Sequence, residues 1–399
     1  MDKTTTSPLL TNDRIESLDM MRGLALLGIL LANSMHFQYG LFLIPDIHNY
    51  YPNGIIDRIA EGFILLFVQS SFYTLFSFLF GYGMAFLKER LLTREQPFAR
   101  VYWRRMLILL LVGYLHGVYI WDGDILFVYA LTGFILFFFL KLKVRGLLIW
   151  SIILLSLMAL SITMPEEDES MATFNEQLYQ YSLEEREVLS SASYSDVVTF
   201  RQEADPLGFG WMSDVIIQGS AIFSVLGMFL LGAFVARKKW LEQPEKYQRL
   251  FKRVWWITLC IGFPSKLAYV LNETVQTEAL HTFVGGPMVA MFYASSIALL
   301  ATNKKAYTWL KPLTFVGRLS LTNYLLQSIV FTTLFYGYGI GLFGKIGFFI
   351  GILISFVFFF IQILLSKWWL KRFKIGPIEW LWRLGTYWRR PRFKNETHS

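Results

Sequence analysis

A histidine followed at close range by two aspartates is the strongest hint of chemistry in this chain. His116 stands in Gly113-Tyr114-Leu115-His116-Gly117, and the turn Trp121-Asp122-Gly123-Asp124 follows. A tight hairpin there folds Asp122 or Asp124 back onto the imidazole. A carboxylate beside an imidazole fixes its tautomer and raises its basicity, as a general base requires. Gly113 and Gly117 form a small-xxx-small pair that lets a neighbouring helix come close. Asn33 and His36 lie at a depth similar to His116 and are candidate substrate contacts, together with the stripe Ser320, Asn323 and Gln327. That stripe has two readings, interhelical hydrogen bonding or the wall of a substrate cavity. Asp19 and Arg22, three apart and so on one helical face, either pair with each other or, with Arg318, hold a phosphate-bearing ligand.

The elements that must position these residues are membrane helices. Hydrophobic residues make up 55% of the 399, charged residues only 17%, and aromatics 18%, with a mean hydropathy of +0.45. Soluble domains carry about 25% charge, so this chain lacks the polar groups to cover a water-facing surface. About 20 apolar residues cross a bilayer, and ten segments qualify, from Leu18–Leu43 to Gly344–Leu365. Among them are Ile56–Leu87, too long for one simple span and expected to begin as an interfacial or tilted helix, and Trp103–Trp121, Asp124–Leu140 and Leu313–Tyr336. All but five of the 37 Lys and Arg residues fall in the termini, in the even-numbered connections or at the helix ends beside them; the exceptions are Arg58, Arg186, Arg201, Lys266 and Lys345. Positive charge stays inside, so the pattern predicts an all-α integral membrane protein of about ten transmembrane helices with both termini cytoplasmic.

Three regions follow: a cytoplasmic segment 1–17, a transmembrane domain 18–365, and a basic Trp-rich tail 366–399 expected at the cytoplasmic membrane surface against anionic lipid. The fifth-to-sixth connection, 164–212, is the one long outer loop, with eleven acidic residues (the run Glu166-Glu167-Asp168-Glu169 among them) against two arginines. It reads as short helices over the bundle, either a solvated cap or a lid. The single cysteine, Cys260, sits in an apolar run and reads as a small buried hydrophobe. The net charge of +8 is thus accounted for by membrane topology, and no nucleic acid is expected as a partner. No phosphate-binding glycine loop, serine-hydrolase elbow or zinc-protease motif is present, and no metal is expected.

Three blocks carry a family resemblance: Arg14 to Asn33 with Leu18-Asp19-Met20-Met21-Arg22-Gly23; His116 with Gly123-Asp124-Ile125-Leu126 and Tyr129-Ala130; and Gly317-Arg318-Leu319-Ser320-Leu321-Thr322-Asn323-Tyr324. The tail block Gly376-Pro377-Ile378-Glu379-Trp380 also fits. The chain resembles the YeiB/YrkO-like bacterial membrane proteins, the family of domain of unknown function 418. That family distantly resembles transmembrane acyltransferases of the acyltransferase-3 and heparan-glucosaminide N-acetyltransferase kinds. The resemblance implies a plasma-membrane protein that moves an acyl group from cytoplasmic acyl-CoA to a small-molecule or glycan acceptor at the outer face. Asn33 stands where acyltransferase-3 proteins carry a catalytic histidine and where the glucosaminide enzymes carry asparagine, which leaves His116 as the base. The alternatives are a polytopic transporter or lipid flippase, in which the same polar residues bind substrate and protons, and a non-catalytic membrane scaffold.

Overall fold

The computed structural model describes residues 15–41, 51, 53–163, 169–388, 391 and 393. Most of the expected N-terminal segment and the acidic run Glu166-Glu167-Asp168 lie outside them. The described residues form sixteen α-helices and no β-strand. In chain order these are α1 Glu16–Tyr39, α2 Ile55–Phe67, α3 Ser71–Thr93, α4 Phe98–Tyr119, α5 Leu126–Phe139, α6 Val144–Ala159, α7 Glu169–Ser191 and α8 Tyr194–Glu203. Then come α9 Trp211–Arg237, α10 Gln248–Leu271, α11 Val275–Leu280, α12 Gly286–Leu300, α13 Lys304–Arg318, α14 Ser320–Phe335, α15 Phe348–Arg372 and α16 Pro377–Tyr387.

Seven helical stretches are long and apolar enough to cross a membrane: α1, α2 with α3, α6 with the 3-10 turn Leu160–Thr163, α9, α10, α11 with α12, and α15. Three of the ten expected segments are not among them, each for a local reason. Trp103–Trp121 lies on α4, whose start carries Arg100, Arg104 and Arg105. Asp124–Leu140 yields a helix of only 14 residues, α5, about 21 Å long. Leu313–Tyr336 is not continuous: α13 ends at Arg318, Leu319 leaves the helical region (φ −113°, ψ 37°), and α14 begins at Ser320.

The long segment Ile56–Leu87 is also broken, at 68–70, where Ser70 takes a left-handed conformation (φ 61°). Helix α2 before the break is amphipathic: Ala60 and Ile64 are buried while Ile55, Ile56, Ile59 and Phe63 lie exposed. Its last carbonyls have no partner within the helix, and inside a membrane such groups must find donors. Three side chains from other elements supply them. His281 Nε2 lies 2.9 Å from Leu65 O, the Tyr293 hydroxyl donates to Phe67 O at 2.7 Å, and the fully buried Lys266 donates to Gln69 O and, at 2.8 Å, to Ser71 Oγ. The π-turn His281–Gly285 joining α11 to α12 places the first of these.

Helix α1 runs through the middle, packed on α3, α13, α14 and α15, while α9 packs against α3 on one side and α6 on another. Two crossings bring backbones into contact. A Cβ on Gly23 of α1 would lie 2.1 Å from Leu313 O of α13, and one on Gly317 of α13 would lie 1.9 Å from Asp19 O of α1. Gly81 and Gly232 do the same for α3 and α9, each facing a carbonyl of the other helix at 1.9 Å. Such contacts suit an apolar solvent, in which close van der Waals packing must do what hydrophobicity does in water.

Two expectations are corrected. Cys260 is exposed, because α10 turns that face outward together with Trp256, Ile257 and Ile261. The boundary expected at 365 falls inside α15, which runs on to Arg372, and the tail beyond it packs back on the bundle. Trp382 Nε1 donates to Arg105 O at 3.4 Å, and the Arg105 and Arg104 guanidinium groups lie 3.8 and 4.3 Å from the ring centroids of Trp382 and Trp388. Helices α7 and α8 cover the end of the bundle where α1 and α4 finish. The Tyr194 hydroxyl donates to Tyr119 O at 2.8 Å, Gly337 N donates to Leu189 O at 2.9 Å, and Leu41 N donates to Glu185 Oε1 at 2.9 Å.

Gly232→Leu should therefore force α3 and α9 apart and cost about 1–3 kcal/mol, read as a lower thermal midpoint of the purified protein. Gly219, on the same helix with nothing within 4 Å of its would-be Cβ, should accept alanine with no loss. Equal midpoints for the two variants would refute the contact argument.

Candidate active site

His116 occupies the last turn of α4 and is 1% exposed. Asp124 returns to it across the turn, with its Oδ1 2.8 Å from His116 Nδ1. Its other oxygen accepts Phe127 N at 2.8 Å and so satisfies a free donor at the start of α5. One carboxylate thus ends one helix and begins the next. Gly113 makes this possible, since a Cβ there would lie 2.3 Å from Phe127 N. An ionised carboxylate only accepts hydrogen bonds, so the Nδ1 it faces carries the proton. In the neutral ring Nε2 then keeps its lone pair, and this buried atom has no partner among the described residues. Tyr324 closes one side, its ring 5.2 Å from the imidazole and its hydroxyl 3.5 Å from Ile125 N. Of the two aspartates left open by the spacing, Asp124 meets the histidine. Asp122 turns to Arg201 of α8, at 3.6 Å.

A cavity of about 250 Å³ leads toward this pair from the other end of the bundle. Its mouth carries Arg22, Arg105, Arg318 and Arg383 with Asp19 and Glu379, and Ser320 lies on its wall. Its shaft is apolar, built from residues such as Leu26, Ile29, Phe76, Leu79 and Leu109. The shaft ends at Ile125, Leu126, Tyr129 and Tyr324, the layer that touches the His116–Asp124 pair; His116 itself does not line it. Asp19 and Arg22 pair at 2.9 Å, and Arg318 Nη2 lies 3.5 Å from Lys374 O. Four guanidinium groups suit phosphate or carboxylate oxygens, which they bind as planar forks. An apolar shaft behind them suits an acyl chain or similar tail.

Arg105, Arg383 and Glu379 were not foreseen as part of this mouth. The signals for them were the Arg104-Arg105 pair near the start of α4 and the Gly376 to Trp380 block. Glu379 reaches across from α16 to the N-terminus of α14, where it accepts Leu321 N at 2.8 Å, Thr322 N at 3.0 Å and Thr322 Oγ1 at 2.6 Å. Burial pushes its carboxyl above the usual carboxylate range, against the opposing pull of the Thr322 hydrogen bonds.

The remaining candidates separate by location. Asn323 donates to Ser366 Oγ at 3.0 Å and to Leu319 O at 3.1 Å, and it receives Gln362 Nε2 on its side-chain and main-chain oxygens at 3.2 and 3.0 Å. Gln327 donates to Gln362 Oε1 at 2.9 Å and to Leu26 O at 3.4 Å. Both are buried in a network that joins α14 to α15 and neither lines the cavity. Asn33 is half-buried and makes no side-chain hydrogen bond among the described residues. His36, three residues on, faces the Asp122 side of the molecule, and its Nδ1 has no partner there. No group of three or more His, Cys, Asp and Glu able to hold a metal ion occurs among the described residues.

Comparison with known sequences gives matches along nearly the whole chain. The Bacillus subtilis (strain 168) protein YxaH, described as uncharacterized, is 35% identical over 395 residues, covering 95% of this chain and 96% of that one. An uncharacterized 39.9 kDa protein from the amylase 3′ region of Bacillus acidopullulyticus is 30% identical, again over 95% and 96%. Escherichia coli (strain K12) YeiB, also described as uncharacterized, is 28% identical over 93% of this chain and 96% of its own. The model of the family described as "Protein of unknown function (DUF418)" matches residues 235–389, which run from the end of α9 through Arg318 and Glu379 to the tail. The site described above is therefore that of a chain that belongs to the DUF418 family.

Proposed function

We propose that this chain is a membrane-embedded acyltransferase of the bacterial plasma membrane, using acyl-CoA as donor from the basic side and delivering the acyl group to an acceptor at the opposite face. The observation that carries the reading is the cavity with four arginines at its mouth and an apolar shaft ending at the Tyr324–Ile125 layer beside His116 and Asp124. At about 250 Å³ it has room for the acyl and pantetheine end of the donor, with the phosphates left among the arginines. Helices α13 and α14, α4 and α5 complete ten crossings in this reading, and both chain ends lie on the cytoplasmic side with the arginine mouth.

The chemistry follows from the tautomer. His116 Nε2 takes the proton of the acceptor hydroxyl or amine. The freed oxygen or nitrogen bonds to the thioester carbonyl carbon, the carbon–sulfur bond breaks, and the CoA thiolate leaves toward the arginines and picks up a proton. Asp124 stays ionised, holds the ring in orientation and offsets the charge that the imidazolium gains. Because the pair is buried, Asp124 acts through a weakly screened field.

In phospholipid nanodiscs the purified protein should bind octanoyl-CoA. Arg318→Ala and Arg22→Ala should each weaken that binding about tenfold or more, the worth of a charge-assisted hydrogen bond, while Asn323→Ala should leave it unchanged. His116→Ala should keep donor binding and lose about 10²–10⁴-fold in transfer rate, and Asp124→Asn should lose less. Protein that binds no acyl-CoA would end this reading and move the weight to transport.

The orientation has its own check. In a Cys260→Ser background, cysteines placed at the exposed Ser195 and Gln243 should react with a membrane-impermeant reagent from opposite faces, Ser195 from outside intact cells. Labelling of both from one face would overturn the topology.

A further inference from the structure

The end of the bundle covered by α7 and α8 holds a second set of polar groups that the transfer step does not use. Arg201 of α8 is 3% exposed at its side chain, yet Nε, Nη1 and Nη2 all lack a hydrogen-bond partner among the described residues. Asp122 Oδ1 lies 3.6 Å from Nε, beyond hydrogen-bond distance, and is itself buried and unpartnered. His36 Nδ1 is likewise buried and unpartnered, and Asp122 lies within electrostatic range of that ring. Tyr336 stands on another side, its ring 5.8 Å from the Arg201 guanidinium and its hydroxyl near that group without good hydrogen-bond geometry. Tyr181 and Glu185 of α7 act on the same layer. Native proteins leave very few buried polar atoms unpaired, and a buried guanidinium with three orphaned nitrogens is costly unless something meets it.

The groups present select the ligand. The Arg201 guanidinium faces the Asp122 carboxylate, so the pair has no positive excess to attract a free anion. Arg201 offers only donors, and an ionised Asp122 offers only acceptors. A hydroxyl both donates and accepts, so a compound with neighbouring hydroxyl groups satisfies both residues at once. Tyrosine rings around such a pair give the apolar faces on which a sugar ring packs.

We infer that Arg201, Asp122 and His36 form a binding site for a neutral polyhydroxylated ligand, a sugar or a sugar headgroup, enclosed by α7 and α8. The inference rests on reading this end as the acceptor side, and it makes Arg201 a specificity-determining residue contributed by the acidic outer segment. Asp122 is two residues from Asp124, so a ligand held here lies next to the turn that carries the base.

The test uses the full chain in phosphatidylcholine nanodiscs free of sugar-based detergent, with three probes: glucose in solution, glucosyl diacylglycerol in the disc, and inorganic phosphate. Glucose or the glycolipid should bind and slow hydrogen exchange in 194–203 and 120–125 of the wild-type protein. The arm that binds more tightly tells a free sugar from a lipid headgroup. Arg201→Lys keeps the charge and loses the planar fork, and it should weaken binding about tenfold or more. Where that variant fails to fold, Tyr336→Phe, which removes one hydroxyl beside Arg201, should weaken it severalfold. Neither variant should change octanoyl-CoA binding. Absence of sugar binding with normal octanoyl-CoA binding overturns this inference alone, while absence of octanoyl-CoA binding overturns the acyl-transfer reading. Phosphate bound in place of sugar, or sugar bound equally by Arg201→Lys, also overturns it.

Discussion

A helix that stops inside an apolar bundle leaves backbone groups that only the protein can satisfy, and this constraint organises the molecule. In hydrocarbon each unmet group costs several kcal/mol. Three helix ends among the described residues show it, each met by a side chain from elsewhere or by one that serves two partners. The end of α2 is met by His281, Tyr293 and Lys266. The start of α14 is met by Glu379 of α16. The start of α5 is met by Asp124, which holds His116 with its other oxygen. Some of the polar residues inside the bundle thus stand where the backbone needs them.

This explains how a buried His–Asp pair is held without a surrounding polar shell. A carboxylate in a low dielectric loses the solvation of its charge, and it persists only with good geometry and further hydrogen bonds. Asp124 has that further bond, to Phe127 N. Its orientation is therefore set by the start of α5 as well as by the imidazole. Gly113 and the shortness of the turn fix the spacing, so the position of His116 is set by the α4–α5 hairpin.

The parts visible in the sequence were those encoded within one or two turns of helix. The eight-residue separation of His116 and Asp124 and the three-residue separation of Asp19 and Arg22 both became contacts. What was hidden was set by partners far along the chain. The stripe of Asn323 and Gln327 left interhelical hydrogen bonding and a cavity wall both open, because their partners Ser366 and Gln362 lie about forty residues on. Glu379 and Arg383 reach the cavity only because α16 folds back on α4 and α14. The breaks at 68–70 and at Leu319 carry neither Pro nor Gly at the break itself: the length of Ile56–Leu87 announced an interruption without placing it, and hydropathy ran straight through Leu319.

The break at Leu319 also bears on how the cavity is built. Continuous helix from Lys304 to Phe335 would carry Arg318 and Ser320 on one unbroken rod, with no free N-terminus facing the mouth. Interrupting it turns the first N–H groups of α14 toward Glu379, a residue of the mouth. A helix N-terminus carries about half a positive charge, which adds to the four guanidinium groups, and Glu379 balances part of it. The mouth therefore combines a fixed dipole, four cations and an internal carboxylate from the tail. The tail is held there by its own contacts, Trp382 on Arg105 and Trp388 on Arg104, so α16 is a structural part of the cavity as well as its neighbour.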